Sequence, residues 1–224
     1  MSGILYVVAT PIGNLRDISL RALDVLRAVD IILAEDTRVT RKLLTHHSIS
    51  TQVKRYNEHA PQRVYEDVLK RLRNGERIAL VSDAGTPGIS DPGAQLVGRV
   101  RAELPETHIE AVPGPSAVIT ALSVSGIPAN EFTFLGYPPA KRKRAKFFEK
   151  VANVLIRPVV LYESPHRLQK TLEGLIDVFG ASERIFIARE LTKIYEEHFM
   201  GTLIEAQEHF INKHGKGEFV LILP

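Results

Sequence analysis

VSDAGTPGISDPG, residues 81–93, carries the clearest architectural signal in this chain. It follows an apolar run at 77–82 with the length and composition of a buried strand. It leads into 92–104, where apolar residues recur at helical spacing. A strand that passes through a Gly- and Pro-rich loop into a helix is the βα unit of an open α/β sheet. In such sheets ligands collect outside the carboxyl ends of the strands, where the next helix offers unpaired N–H groups. Two other loops share this setting: VATPIGNL at 8–15 after the run 4–9, and VPGPSA at 112–117 after the run 108–112. Gly85, Gly88, Gly93 and Gly114 allow close backbone approach to a ligand, and Pro87, Pro92, Pro113 and Pro115 stiffen the loops. One such loop is ordinary punctuation. Three in half a chain point to a polar small-molecule cofactor.

The surrounding pattern is alternating. Ser19 is placed to cap a helix carrying Ala22, Val25, Leu26 and Val29, a strand is read at 31–34, and helices at 38–46 and 64–72, the latter closed by Gly75. These make an α/β domain over 1–114. After Gly114 the texture changes. A small-residue helix at 116–125 and a strand at 132–137 precede the basic run Lys141, Arg142, Lys143, Arg144 and Lys146. Strands follow at 158–162, 184–188, 197–203 and 218–223, with helices at 168–179 and 203–213. Neighbouring strands on short turns predict an antiparallel portion. The expected architecture is α/β in two domains, 1–114 and 115–224.

Composition narrows the chemistry. The 224 residues carry 44% hydrophobic and 25% charged side chains and no Cys, which removes disulfides, thiolate catalysis and zinc–cysteine sites. No apolar run reaches the roughly 20 residues that span a bilayer, so a cytoplasmic protein is expected. A net charge of +3 means that an anionic partner has to be argued from clustering. The first loop has no G-x-G-x-x-G and the chain no G-x-x-x-x-G-K-[ST], which disfavours a dinucleotide-dependent dehydrogenase and a P-loop NTPase. No histidine has metal-ligand spacing to its neighbours, and no metal is expected.

Taken in order, LYVVATPIGNLRDIS, LAEDTR, YNEH, VSDAGTPGISDPG, VPGPSA, YESPHR and ARELTK resemble the bacterial 16S rRNA 2′-O-ribose methyltransferases of the RsmI type. These are tetrapyrrole-methylase-like, class III S-adenosylmethionine-dependent enzymes. The resemblance runs from Leu5 to about Leu223. It implies two α/β domains with S-adenosylmethionine in the cleft between them, usually in a homodimer. It also implies methyl transfer to the 2′-hydroxyl of a cytidine in the decoding region of 16S rRNA, with the rRNA expected as substrate within the 30S subunit. Family members commonly carry a further C-terminal segment, so RNA contacts made there are expected to be missing from a chain ending at Pro224.

Under that resemblance, Pro11 and Ile12 form the first-loop wall of the cofactor site. Asp83 stands beside the cofactor, with Ala84, Gly85 and Thr86, where a carboxylate suits an amino group or a ribose; an Asp capping its own turn is the competing reading. Ser116 and Ala117 open a helix whose free N–H groups can receive carboxylate or ribose oxygens, or simply start a helix. Leu161 and Tyr162 line an adenine pocket or pack in the core. A ribose hydroxyl is a poor nucleophile, and a positioned base contributes about 10²–10⁴-fold. The candidates are Glu35, Asp36, Glu58, His59, Glu163, His166 and Glu190, with no choice among them. Phosphate contacts are assigned to Lys141, Arg142, Lys143, Arg144 and Lys146, with Arg38, Arg41, Lys42 and Arg167, against the alternative of a solvated charged face. A small-molecule methylase acting on a tetrapyrrole would share the fold without needing the basic run. A non-catalytic ribosome-assembly binder would not bind the cofactor.

Overall fold

A computed structural model describes residues 3–57, 61–211 and 217–224. The chain divides into two compact units, Met1–Ser116 and Ala117–Pro224. In the first, five strands are all parallel: β1 (Ile4–Val8), β2 (Ile31–Ala34), β3 (Val53–Arg55), β4 (Arg77–Val81) and β5 (His108–Val112), in the order β3-β2-β4-β1-β5. Parallel strands need crossover helices, which cover both faces, so the inner strands β2, β4 and β1 read as apolar runs, while the edge strands β3 and β5 carry Lys54, Arg55, His108 and Glu110. Here α3 (Gln62–Arg73) and α4 (Gly93–Glu103) bring Val68, Leu72, Leu96 and Val100 against Leu5, Leu33, Ile78 and Leu80. On the other face, α1 (Leu20–Ala28) and α2 (Thr37–His46) pack Ala22, Leu26, Leu43 and Leu44 against Val8, Ile32, Ala79 and Val81. Ser19 caps α1 as read from sequence, its side chain accepting from the Ala22 N–H.

The second unit holds α5 (Ala117–Ser125), β6 (Thr133–Gly136), α6 (Arg144–Ala152), β7 (Val159–Glu163), α7 (Pro165–Phe179), β8 (Arg184–Arg189), β9 (Glu197–Thr202), α8 (Leu203–Phe210) and β10 (Phe219–Leu223). Its sheet runs β6-β7-β10-β8-β9, and only β6 and β7 pair parallel. The antiparallel portion anticipated from the short turns is present. Phe148, Leu168, Leu172, Leu175, Leu203 and Phe210 from α6, α7 and α8 pack against Leu161, Ile187 and Leu221 of one sheet face.

One element escaped the sequence reading, and another begins earlier than expected. β3 is three residues at a sheet edge, and its Lys54 and Arg55 read as a polar loop because edge strands carry charge that blocks further pairing. The basic run is not one loop either: α6 starts inside it at Arg144, after Lys143 adopts a left-handed conformation with φ +68°. Among the described residues no helix is long and apolar enough to cross a membrane.

Candidate functional site

All five strands of the first unit point the same way, so the three Gly- and Pro-rich loops emerge at one edge of the sheet, where they are laced together by backbone. Thr10 and Gly85 exchange both main-chain hydrogen bonds, N to O 2.9 Å and 3.1 Å, and the Ala9 N–H donates to the Val112 carbonyl at 3.1 Å. The Thr10 hydroxyl donates to the Ser82 carbonyl at 3.1 Å, and Thr86 Oγ1 to the Pro115 carbonyl at 3.2 Å. Gly85 sits at φ +80°, a region that side-chain-bearing residues avoid, and a Cβ on Gly114 would stand 3.0 Å from that of Ala9. Asp91 staples the long loop from within, its Oδ1 accepting from the Gly88 and Gly93 N–H groups at 2.7 Å each. Pro11 and Ile12 are buried, with the Ile12 side chain packed under Gly85. Ser116 and Ala117 are half-buried, and Ala117 is the first residue of α5.

Asp83 belongs to this edge. Its Oδ1 accepts from the Asp36 N–H at 2.9 Å, tying the loop after β4 to that after β2. Among the described residues its Oδ2 has no hydrogen-bond partner, so half of the carboxylate is open to a ligand while the other half holds the loop. Asp36 is differently employed: it caps α2 through the Arg38 N–H at 2.8 Å and chelates the Arg38 guanidinium, its Oδ2 2.6 Å from Nη2. Hydrogen bonds from the Arg38 side chain, then from its backbone, hold the carboxyl well below the usual carboxylate range. A carboxylate so stabilised is a weak base, which corrects the candidacy of Asp36 for proton abstraction. Glu35 is half-buried at the end of β2. Glu58 and His59 lie outside the described residues.

In the second unit the alternative readings of the candidate residues separate. Leu161 is completely buried on the core face of β7, so its side chain is unavailable to an adenine ring. Side chains alternate along a strand, and Tyr162 points to the opposite face. There its ring meets Phe134 at 4.9 Å and Tyr137 at 5.4 Å. Burial pushes the Tyr162 hydroxyl up to about 12. Glu163 ends β7 with a side chain that is 0% exposed. Its Oε1 accepts from the Ser164 N–H at 2.7 Å and pairs with Arg167 Nη2 at 2.8 Å, and its Oε2 accepts from the Thr171 hydroxyl at 2.5 Å. Both oxygens are committed, so Glu163 is a structural acceptor and not an available base. His166, one turn away, is exposed.

The basic residues likewise separate into two groups. Lys141, Arg142, Lys143 and Lys146 are exposed. Arg144 donates to the Pro139 carbonyl at 2.9 Å and to Thr171 Oγ1 at 2.8 Å. Arg167 donates through Nε to Ser164 Oγ at 3.1 Å and through Nη1 to the Pro138 carbonyl at 3.1 Å, besides its pair with Glu163. Their guanidinium groups already donate to the protein's own carbonyls and side chains, which sets them apart from the exposed cations of the run. Arg38 stays exposed although it is paired with Asp36. Glu190, at φ +52°, accepts from Lys193 at 2.8 Å and from the Glu218 N–H at 3.1 Å, a structural use of the ARELTK motif. The hub residue Thr171 was not singled out by the sequence reading. A signal existed: it is the polar residue on the apolar stripe of Leu168, Leu172 and Leu175.

Residues 4–207 match the model of the Tetrapyrrole (Corrin/Porphyrin) Methylases. The chain belongs to this family. Among tetrapyrrole methylases it is similar to the ribosomal RNA small subunit methyltransferase I of Xylella fastidiosa, 46% identical over 225 residues that cover 99% of this chain and 81% of that protein. The protein of the same name from Thermotoga maritima is 43% identical over 221 residues, 99% of this chain and 98% of its own length. Of solved structures, the methyltransferase CobJ superposes with a TM-score of 0.71 at 20% identity, covering 99% of this chain and 94% of that one. A cobalt precorrin-4 methyltransferase of cobalamin biosynthesis gives 0.70 at 16%, covering 97% and 93%. At those identities the two structures establish the α/β fold with its two sheets.

A methylase of this family has to receive a methyl donor that carries an amino acid, a ribose and a base. The carboxyl edge of the first unit fits such a group chemically: loops without bulky side chains at Ala84, Gly85 and Gly114, and one carboxylate oxygen to spare on Asp83. Among the described residues no group of three or more His, Asp or Glu side chains could hold a metal ion.

Proposed function

We propose that the chain methylates small-subunit ribosomal RNA, using S-adenosylmethionine, at the ribose 2′-hydroxyl of a cytidine in the decoding region. The reading is supported above all by the end-to-end match with the Thermotoga maritima protein, 99% of this chain against 98% of that one. Residues 11–12, 83–86 and 116–117 are the proposed cofactor contacts. Held by these residues, S-adenosylmethionine would supply a sulfonium methyl for the 2′-oxygen, the new O–C bond replacing the S–C bond, with a neutral thioether as leaving group and the hydroxyl proton passing to an acceptor. Positioning of the hydroxyl against the methyl then supplies much of the rate. The laced loops serve that purpose because each is fixed by its neighbour. The proton acceptor is sought among Glu35, Glu58, His59 and His166. Exposed Lys141, Arg142, Lys143 and Arg38 are the proposed phosphate contacts.

The enzyme is further proposed to work in the cytoplasm as a homodimer, the commonest closed assembly. Light scattering should then give twice the 25.0 kDa chain mass, and a monomer at micromolar concentration would contradict it. Incubation with labelled S-adenosylmethionine and unmodified 30S subunits, followed by mapping of the label, tests the activity itself. A single labelled cytidine ribose is expected. Label that enters a tetrapyrrole acceptor and not rRNA would favour the small-molecule reading instead.

A further inference from the structure

Glu163 of the YESPHR motif is left without a chemical task once it is found fully paired, yet it anchors a hydrogen-bonded polar cluster of the second unit. From the buried carboxylate two arms run outward to the same place. One goes through Arg167, whose Nη2 pairs with Glu163 at 2.8 Å while its Nη1 donates to the Pro138 carbonyl at 3.1 Å. The other goes through the Thr171 hydroxyl, which donates to Glu163 and accepts from Arg144 at 2.8 Å; Arg144 in turn donates to the Pro139 carbonyl at 2.9 Å. Two successive carbonyls of the Pro138-Pro139 turn are thus clamped to one acid. Directly after that turn come Lys141, Arg142 and Lys143, all exposed, ending in the left-handed Lys143 that starts α6. A non-glycine residue holds that conformation only where its surroundings impose it.

We propose that Glu163, Thr171 and Arg144 are positioning residues that fix the Pro138-Pro139 turn and so set where Lys141, Arg142 and Lys143 meet RNA phosphates. The inference rests on the reading of those three cations as phosphate contacts. Its chemistry is specific: a salt-dependent RNA contact costs less to form when its cations are already held in place. The cluster acts on substrate capture, leaving cofactor binding and the methyl-transfer step alone.

A thermodynamic cycle tests it on the full-length enzyme with 30S subunits as substrate. Thr171→Val keeps the volume and cuts the relay, Thr171→Ser keeps the hydroxyl, and Arg144→Gln cuts the outer link at a half-buried site should Thr171→Val fold poorly. Each is made in the wild-type chain and in one where Lys141, Arg142 and Lys143 are all Ala. The triple-Ala chain alone should lower the salt slope of RNA binding by up to about 2–3 units. In the wild-type background Thr171→Val and Arg144→Gln should raise KM for 30S about 10-fold, the loss expected for one buried polar link. The kcat and S-adenosylmethionine affinity should hold, and Thr171→Ser should restore KM. In the triple-Ala background neither substitution should add anything. Equal losses in both backgrounds, or no loss in either, would overturn the positioning role. A triple-Ala chain with a wild-type salt slope would remove the phosphate reading itself, and the positioning role with it.

Discussion

Asp83 and Glu163 occupy the same syntax, an acid at the end of a strand just before a turn or helix, in two different units. Asp83 spends one oxygen on the Asp36 N–H and keeps the other clear of partners among the described residues. Glu163 has both oxygens filled by Ser164, Arg167 and Thr171 in a fully buried position. What separates an acid available to a ligand from one that builds the protein is therefore how much of its hydrogen-bonding capacity the fold has already used. Four hydrogen-bonding sites per carboxylate make this a question of inventory.

The sharpest way to break the comparison is to delete each acid. Glu163→Ala should destabilise the chain by about 3–5 kcal/mol, because it leaves Arg167 partly buried without its partner. Asp83→Ala should cost about 1 kcal/mol, the worth of one ordinary hydrogen bond. Urea denaturation followed by circular dichroism reads both. Equal losses would mean that the two sites are the same kind of structure.

Next in size is the pair Leu161 and Tyr162, neighbours on β7 facing opposite ways. Leu161→Ala should cost about 2–5 kcal/mol through the cavity it opens among the helices of the second unit. Tyr162→Phe keeps the ring and should cost about 1 kcal/mol or less. If Leu161→Ala were as mild as Tyr162→Phe, the placement of Leu161 in the core would be wrong.

The smallest effect is electrostatic and confined to the first unit. Lys54 and Arg71 hydrogen-bond the Asp67 carboxylate, Lys54 most strongly, and hold its pKa below the ordinary value. A depressed acid contributes stability above its unfolded pKa, about 3.9. That contribution is lost as pH falls through the folded value. Asp67→Asn should therefore lower stability slightly at pH 7 and flatten its decline as pH falls below the unfolded pKa, a modest effect because the group is partly solvated. An unchanged acid limb would show that the pair is too well hydrated to matter.

The contrast also explains what the sequence disclosed. The buried parallel strand 31–34 was legible to the residue, because both of its faces must be apolar. The three loops were legible because Gly and Pro mark backbone demands that few other residues meet. Site chemistry was legible only as far as residue type: Asp83 and Glu163 look alike until their partners are known. The partner of Asp83 comes from far along the chain, at Asp36, whereas Glu163 is filled by its near neighbours Ser164, Arg167 and Thr171, whose side chains only the folded α7 turns toward it. Leu161 and Tyr162 could not be told apart because a one-residue difference in strand position exchanges core for the opposite face. Arg144 and Arg167 read as surface cations because nothing local shows that their nitrogens are used on the carbonyls of Pro138 and Pro139.

The most direct measurement is a calorimetric titration of S-adenosylmethionine into three folded proteins: wild type, Asp83→Ala and Glu163→Gln. Asp83→Ala should bind about 10- to 100-fold more weakly, the loss of a charge-assisted contact, while Glu163→Gln binds within about twofold of wild type. Wild-type affinity in Asp83→Ala, or a loss confined to Glu163→Gln, would place the cofactor elsewhere than the laced loops of the first unit.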